Sequence, residues 1–316
     1  MGRLMTVLVT GGTGMLGREL IYNLVARGQK VRILARDMKK AHKLFGIGNL
    51  DIIQGDITAD NLGLVNNPGV DAIYHLAALL DLSERHRADL WNVNVVGTEN
   101  VIKLMKRYEI PHLYYCSTAY TQGRNSYEKT KATAENLIRE SGVKYSIFKT
   151  GIIVPNSKTC EIDKPQHLYI AARMWARIHN RAEPIRKKIE GTLHLPPKQI
   201  SFRIKGDPKA TMNLVQADWI AEKMAGIQDE GVYTLTSQRP LRLSKLLEWI
   251  GGVLFLNLKV EPDFKMKPHE ALFDRLGKPF LAYVQDDFPR FKSSFNDCPA
   301  ISQEFIEKTV ISSILN

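Results

Sequence analysis

A tyrosine and a lysine four residues apart form the pair of side chains in this 316-residue chain with the clearest potential for chemistry. Tyr127 and Lys131 fall on one face of a predicted helix over residues 127–141. A phenol has an ordinary pKa of about 10, and a neighbouring ammonium lowers that pKa because it favours the phenolate. Ser117 and Thr118 follow a predicted strand just upstream, where a hydroxyl can polarise a carbonyl. The pattern predicts a proton-transfer site that acts on a carbonyl or an alcohol.

A glycine-rich segment, TGGTGMLG at residues 10–17, joins the first predicted strand to the first predicted helix. In this context the first glycine permits a tight turn, the second lets the backbone approach a pyrophosphate, and the third allows close packing of the helix. The N–H groups at the start of a helix bind phosphate. A purely structural glycine turn is the alternative. The predicted dinucleotide-binding residues are Gly11, Thr13, Gly14, Met15, Leu16 and Gly17.

The end of the second predicted strand indicates which dinucleotide is bound. Arg36 stands where an acidic residue would bind an adenosine ribose 2′-hydroxyl. A guanidinium instead suits a 2′-phosphate, so NADP(H) is predicted in preference to NAD(H). Asp37, one position later, is predicted to cap the next helix.

The ends of the third and fourth predicted strands complete the predicted cofactor site. Asp56 is predicted to accept a hydrogen bond from the adenine amino group and Ile57 to cover the ring, with a turn aspartate as the alternative. Ala77 and Ala78 are small enough to leave room for the cofactor. His75 is predicted to be a packed core histidine rather than a catalyst.

Strands and helices alternate through the first half of the chain. Strands separated by helices of this length form a parallel sheet that is covered on both faces. We therefore predict an α/β fold with a doubly wound parallel sheet. Residues 1–155 form its dinucleotide-binding domain, and residues 156–316 form a smaller, mostly helical substrate-binding part. Within that part, residues 211–237 are predicted to pack back on the sheet through strands at 213–216 and 232–236.

The composition excludes several classes of protein. Three widely separated cysteines favour a reducing, cytoplasmic location over a disulfide framework. Neither the cysteines nor the eight histidines show a metal-binding spacing, so no metal site is predicted. The apolar stretches are too short to span a bilayer.

The net charge of +11 is concentrated in residues 164–209, where eleven basic residues face three acidic ones. Such a segment would attract phosphates or an acidic carrier protein, and a solvated helix face is the alternative. No nucleic-acid partner is predicted. The apolar residues of 168–186 predict a substrate lid, with contact to an anionic membrane as the alternative. Pro184, Pro196 and Pro197 are predicted to break helices.

Together these segments resemble the extended branch of the short-chain dehydrogenase/reductase superfamily. The resemblance covers nearly the whole chain and is strongest in TGGTGMLG, GDIT, HLAA, NVNVVGT, STAYTQG and YEKTK. It implies a Rossmann fold with Tyr127 as the catalytic acid–base. Lys131 would lower the pKa of that tyrosine and hold the nicotinamide ribose, and Tyr127 would also contact the cofactor. Thr118, five residues before Gly123, would be the hydroxyl that orients the carbonyl, in preference to Ser117.

The later segments GIIVPNSKTCE, GDPKATMNLVQADWIA and FPRFKSS are similar to the fatty acyl-CoA and carrier-protein thioester reductase-like group. This implies a lipophilic carbonyl or thioester substrate, on CoA or on a carrier. Two features depart from the family pattern. The interval from Thr118 to Tyr127 is short, and Lys149-Thr150 replaces the usual Arg-Pro. Asn94 matches a structural asparagine of the family, whose members often form homodimers through the helices bearing it and Tyr127.

Three functions are compatible with these observations. The first is an NADPH-dependent reductase that transfers hydride to a carbonyl. The second is a sugar-nucleotide epimerase or dehydratase of the same branch, which would hold NAD tightly. The third is an NADP-binding sensor or assembly protein without turnover, for which the short loop is the argument. Arg36 argues against the second function, and the intact pair of Tyr127 and Lys131 argues against the third.

Overall fold

The chain forms two compact units. A computed structural model describes residues 5–46, 50–82, 84–164, 168–193, 199–281, 283 and 291–315. Unit 1 consists of Met1–Val154, Val215–Gln238 and Phe291–Pro299. Unit 2 consists of Pro155–Leu214, Arg239–Arg290 and Ala300–Asn316. The polypeptide therefore leaves unit 1 three times, after residues 154, 238 and 299, and returns to it in two separate segments.

Up to Val154, strands and helices alternate as the sequence predicts. The strands are β1 (Thr6–Thr10), β2 (Lys30–Ala35), β3 (Asp51–Gln54), β4 (Ala72–His75), β5 (His112–Thr118), β6 (Lys144–Thr150) and β7 (Ile152–Val154). The helices are α1 (Met15–Ala26), α2 (Met38–Phe45), α3 (Arg87–Trp91), α4 (Gly97–Arg107) and α5 (Ser126–Glu140).

The remainder of the chain is richer in helix. Its helices are α6 (Leu168–Leu193), α7 (Ala217–Gly226), α8 (Leu243–Leu254), α9 (Pro268–Leu281) and α10 (Gln303–Leu315). Its strands are β8 (Ile200–Lys205), β9 (Thr211–Met212), β10 (Leu214–Gln216), β11 (Gly231–Leu235), β12 (Leu241–Arg242) and β13 (Leu256–Glu261).

Unit 1 is built on a seven-stranded sheet in the order β11-β6-β5-β4-β1-β2-β3, and all of its pairings are parallel. Alternate residues of β1 point to opposite faces. Val7 and Val9 pack with Leu20 of α1 in one apolar cluster, whereas Leu8 packs with Val101 of α4 in the other. Because both faces are covered, the β-branched strands are buried on both sides. The predicted doubly wound parallel sheet is confirmed.

Three local predictions need correction. The predicted strand at 213–216 forms β10, but β10 pairs with β7 in a separate two-stranded sheet. The helix predicted at 88–108 is interrupted by a π-helical turn at Asn92–Val96 between α3 and α4. Helix α6 continues through Pro184, where the sequence predicts a break. Pro196 and Pro197 lie outside the described residues.

A segment near the C-terminus of the chain lies along β11 at one edge of the sheet. The backbone N–H of Ser294 donates to the Thr234 carbonyl at 2.8 Å, and the Thr234 N–H donates to Ser294 Oγ at 2.9 Å. The hydroxyl of Ser293 donates to the same carbonyl at 3.2 Å. Ser293 and Ser294 therefore bind the backbone of the outermost strand at Thr234.

Unit 2 has an aromatic core. Trp175 of α6 stacks on Phe273 of α9 with ring centroids 5.0 Å apart, and Phe202 of β8 meets Phe273 edge to face at 5.2 Å. Beside this cluster, Arg203 Nε lies 2.9 Å from Glu270 Oε1, and the Glu270 side chain is only 1% exposed. A buried ion pair thus flanks the rings.

The Glu270 carboxylate makes unit 2 sensitive to acid. Burial alone would raise its pKa, but hydrogen bonds from Arg203 and from the Lys267 N–H lower the pKa to about 2. An ordinary glutamate titrates at about 4.3, so the charged pair stabilises the fold above that pH and is lost as the pH falls towards 2. We expect the free energy of unfolding to fall over this window, measured by urea unfolding with tryptophan fluorescence.

The substitution Glu270→Gln should make that pH dependence shallower, because it removes the titrating group. Glu248→Gln, on the exposed face of α8, is the matched control and should leave the profile unchanged. Parallel profiles for the wild type and Glu270→Gln would contradict the prediction.

In the described ranges, the structure contains no helix that is both long and apolar enough to cross a membrane.

Candidate active site

The loop between β1 and α1 is shaped by close backbone contacts that only glycine allows. Gly11 has a φ of +73°, and a Cβ built there would lie 2.5 Å from the backbone nitrogen of Ala77. A Cβ on Gly17 would lie 2.3 Å from the Gly11 carbonyl oxygen. In consequence, the loop is pressed against the end of β4 on one side and against α1 on the other.

The start of α1 presents backbone N–H groups suited to phosphate. Gly14 is the N-cap residue, and neither a side-chain cap nor an acidic residue occupies the first turn of this helix. The N–H groups of Met15, Leu16 and Gly17 therefore have no partner within the helix. A Cβ on Gly14 would meet only the Gly11 oxygen, at 3.3 Å, so no side chain lies within 4 Å of that position beside the N-cap. This donor set fits a dinucleotide pyrophosphate.

At the predicted adenosine end of the site, the exposed side chain of Arg36 lies beside the carboxylate of Asp56. Arg36 is 79% exposed, and its Nη1 lies 3.8 Å from Asp56 Oδ2. Partial burial favours a higher pKa for Asp56, but the Thr58 N–H and hydroxyl and the Arg36 charge lower that pKa overall. The side chain of Ile57 is mostly buried. Asp37 accepts from the Lys40 N–H at 2.9 Å, which confirms the predicted cap of α2.

The carboxyl end of β5 and the first turns of α5 hold the predicted catalytic residues. Tyr127 is half-buried in the first turn of α5. Lys131 is 3% exposed, and its Nζ donates to the Cys116 carbonyl at 2.7 Å and lies 4.2 Å from the centre of the Tyr115 ring. Thr118 ends β5 and is also buried. The ammonium is thereby held against the end of β5, and Lys131 follows Tyr127 by one turn of α5.

The two hydroxyls at the end of β5 have different surroundings. Ser117 donates to Glu135 Oε1 at 2.5 Å, so its hydroxyl is engaged inside the protein. Thr118 Oγ1 accepts from the Tyr120 N–H at 3.2 Å, which leaves its hydroxyl hydrogen for another acceptor. This difference supports the choice of Thr118 as the carbonyl-orienting group.

Glu135 is a buried carboxylate at the centre of a charged cluster that the sequence does not predict. Its carboxylate accepts from Lys149 Nζ at 3.1 Å and from Arg139 at 3.1 Å. Lys149 also donates to Thr121 Oγ1 at 3.2 Å. The usual family Arg-Pro is therefore replaced by a lysine that ties β6 to α5. The four-residue spacing puts Glu135 on the same face of α5 as Tyr127 and Lys131, but it does not indicate the partners on β5 and β6.

Asn94 links the loop after β4 to α5. Its Oδ1 accepts from the Leu79 N–H at 2.8 Å, and its Nδ2 donates to the Leu79 carbonyl and to Thr130 Oγ1, each at 3.0 Å. The side chain is 1% exposed and lies in the π-helical turn. These contacts give Asn94 a structural place next to the predicted site.

Three of the eleven basic residues in 164–209 form ion pairs within unit 2. The ion pairs are Arg203–Glu270, Lys187–Glu183 and Lys205–Asp263. Arg177 and Arg181 of α6 remain exposed. Charge counted along the sequence therefore overstates the basic surface. Lys198 lies outside the described residues, as do the side chains of Arg186 and Lys188.

Comparison with known proteins places the chain in a family. The model of the NAD dependent epimerase/dehydratase family matches residues 7–183, which is more than half of the chain. The chain therefore belongs to this family of nicotinamide-dependent enzymes, the extended short-chain dehydrogenase/reductases. The match spans the glycine loop, both sides of the β5–α5 site and part of α6.

Individual relatives are more distant. The chain is 31% identical over 150 residues to sterol demethylase protein B of Methylococcus capsulatus, covering 42% of this chain and 45% of that protein. It is 33% identical over 159 residues to 4-hydroxy-2-methyl-3-oxo-4-farnesyl-3,4-dihydroquinoline-1-oxide ketoreductase of Stigmatella aurantiaca, covering 43% and 46%. The matched segments thus span about half the length of these curated relatives.

A solved structure extends the likeness over the whole fold. The terminal R domain from the myxalamid PKS-NRPS biosynthetic pathway superposes with a TM-score of 0.73 at 20% identity. The alignment covers 99% of this chain and 91% of that chain. At this identity the likeness concerns the fold alone, and it extends through both units.

Proposed function

We propose that the protein is an NADPH-dependent oxidoreductase that reduces a carbonyl or thioester of a lipophilic substrate, including CoA- or carrier-bound chains. When bound, the reduced nicotinamide supplies a hydride for the carbonyl carbon. Tyr127 gives its phenolic proton to the carbonyl oxygen, so that a ketone or aldehyde becomes an alcohol. Thr118 donates a hydrogen bond that orients the same oxygen, and Lys131 favours the phenolate that remains.

The position of Lys131 carries this proposal. Its ammonium is buried, and the Cys116 carbonyl and the Tyr115 ring fix it beside the end of β5. A buried ammonium is costly unless something compensates it. Its placement one turn from Tyr127 gives a functional reason for that cost, because a positive charge there stabilises the phenolate.

The preference for NADPH rests on Arg36. Its exposed guanidinium follows β2, where the adenosine ribose is bound in this fold. Replacement by alanine should weaken NADPH binding about 10- to 100-fold and leave NADH binding unchanged, because a charge-assisted hydrogen bond contributes ~1.5–3 kcal/mol. Equilibrium titration of both cofactors by fluorescence measures this effect.

Arg107→Ala is the matched control for that experiment, since Arg107 is exposed in the last turn of α4. It should change neither affinity. Equal losses for NADPH and NADH in Arg36→Ala would show that the arginine does not recognise the 2′-phosphate.

The substrate class and the partners are part of the proposal. Two relatives carry sterol or farnesyl in their names, and the R domain belongs to an assembly-line pathway. These names support a bulky, lipophilic substrate and are compatible with an acyl chain on an acidic carrier protein. The exposed Arg177 and Arg181 of α6 are candidate contacts for such a carrier. The lid role of residues 168–186, a cytoplasmic location and a homodimer through α4 and α5 remain predictions.

The purified chain should be mixed with NADPH and a panel of ring ketones, long-chain aldehydes, long-chain ketones and acyl-CoAs. Oxidation of NADPH, followed by its near-ultraviolet absorbance, together with an alcohol or aldehyde product supports the proposal. Tight NADPH binding without turnover on any carbonyl would favour the sensor. Tightly retained NAD together with sugar-nucleotide turnover would favour an epimerase.

A further inference from the structure

A line of buried hydrogen bonds runs through His75 at the end of β4. Thr10 Oγ1, just before the glycine loop, lies 2.7 Å from His75 Nδ1. On the other side of the ring, His75 Nε2 lies 3.2 Å from Thr98 Oγ1 in α4. All three side chains are fully buried. Outside water therefore does not compete for these bonds.

The neighbouring bonds settle which nitrogen carries the proton. The Thr98 hydroxyl donates to the Asn94 carbonyl at 2.7 Å, so Thr98 has no second hydrogen to give to His75. His75 Nε2 must therefore be the donor in its contact with Thr98, and Nδ1 must be the acceptor. The Thr10 hydroxyl consequently donates to Nδ1, while its oxygen accepts from the Ala77 N–H at 3.3 Å. The donor and the acceptor of each hydrogen bond between Thr10, His75 and Thr98 are therefore assigned.

The surroundings keep this ring neutral. Burial of His75, together with the charge of Lys131, lowers the pKa of the histidine to about 3. The rings of His75 and Tyr115 lie 5.6 Å apart, and Lys131 Nζ lies over the same tyrosine. A second proton on the imidazole would leave Thr10 facing a donor, since Nδ1 would no longer accept.

The same line reaches α5 through Asn94. The Asn94 amide donates to Thr130 Oγ1, and the Thr130 hydroxyl donates to the Tyr127 carbonyl at 2.9 Å. Thr130 precedes Lys131 directly. The glycine loop and the first turns of α5 are thus joined by an unbroken set of side chains and one backbone carbonyl.

We propose that His75, as its Nε2–H tautomer, is a positioning residue that sets the glycine loop relative to the helix bearing Tyr127 and Lys131. The inference rests on the proposed function, in which that loop holds the cofactor and Tyr127 delivers the proton. The two ring nitrogens have separate tasks. Nδ1 holds the loop through Thr10, and Nε2 holds α4 through Thr98, from which Asn94 continues the contact to α5.

Two substitutions can separate these tasks. His75→Asn places an oxygen where Nδ1 lies and retains the acceptor for Thr10. His75→Gln places an amide where Nε2 lies and retains the donor to Thr98. We expect His75→Gln to weaken NADPH binding about tenfold and His75→Asn to leave it unchanged, since each leaves one buried partner unpaired. His75→Asn should instead speed amide exchange at residues 126–131.

Imidazole ¹⁵N spectra of the wild-type chain test the tautomer directly: the His75 signals, identified by their loss in His75→Asn, should show a protonated Nε2 and a bare Nδ1. The half-buried His112, which contacts Ser146 Oγ at 2.9 Å, gives the control pair His112→Asn and His112→Gln. An Nδ1–H signal for His75, or equal effects of both His75 variants on cofactor affinity and on exchange, would overturn the proposal. None of these readouts needs a substrate, so failure of turnover would count only against the proposed function.

Discussion

Tyr127→Phe should reduce kcat about 10²- to 10⁴-fold, the usual contribution of a positioned general acid. The substitution removes one oxygen atom and leaves the half-buried ring in the first turn of α5. Hydride addition to the carbonyl carbon then lacks the proton that completes the alcohol. Steady-state turnover at saturating NADPH, on whichever carbonyl the panel identifies, measures the loss.

The loss should be confined to turnover. NADPH affinity should fall far less than kcat, and thermal stability should stay close to wild type, because the backbone of α5 and the contacts of Lys131 are unchanged. Tyr145→Phe is the matched control, since Tyr145 is a half-buried tyrosine at the start of β6. Full activity in Tyr127→Phe would sink the assignment of this residue as the proton donor.

Gly17→Ala should impair both folding and cofactor binding. The added Cβ would lie 2.3 Å from the Gly11 oxygen and 2.7 Å from Gly12 Cα, and neither backbone atom can rotate away. Overpacking of this kind costs about 1–3 kcal/mol of the free energy of unfolding. Displacement of the loop also weakens charge-assisted bonds to phosphate, so NADPH affinity should fall by at least about tenfold. Calorimetric titration and chemical unfolding measure the two effects.

Gly252→Ala is the matched control for the same change in a helix. Gly252 is exposed in α8, and a Cβ there would have no atom within 4 Å. Alanine should therefore be neutral, or stabilise by up to about 1 kcal/mol. If Gly17→Ala behaved like Gly252→Ala, the close approach of α1 to the loop would not be required for binding.

The sheet and the cofactor loop could be predicted because their signals are local. The run from Thr6 to Thr10 is followed at once by glycines and an apolar helical pattern, and in the structure β1 ends at Thr10 and α1 begins at Met15, on either side of the glycines. Gly17 was assigned close packing from its spacing alone. The structure gives the reason, although the contact is with the Gly11 carbonyl rather than with the strand.

The charged cluster around Glu135 could not be predicted in the same way. Its partners Ser117 and Lys149 come from two different strands, and their meeting depends on the parallel pairing of β5 with β6. The basic charge of residues 164–209 is a second case in which partners distant in the sequence could not be predicted. Arg203 finds Glu270 sixty-seven residues later in the chain, which a local count of charge does not register.

The extra residue of the π-helical turn is equally hidden from periodicity, because its apolar pattern still resembles a helix. The turn nevertheless carries Asn94 between the Leu79 loop and Thr130. Pro184 gives the opposite error, because the proline predicts a break but helix α6 continues through it. Whether a helix contains a π-helical turn or continues through a proline depends on the packing of neighbouring elements, which the local sequence does not show.

The two margins of the sheet are protected in different ways against unwanted association. An outer strand with unpaired backbone groups is a template for strands of other molecules, and so for aggregation. At one margin β3 is only four residues long and begins with Asp51, which is paired with Arg32. At the other margin Ser293 and Ser294 occupy the backbone of Thr234. A molecule in which residues 291–299 came away would expose β11 and could recruit a second copy by strand addition.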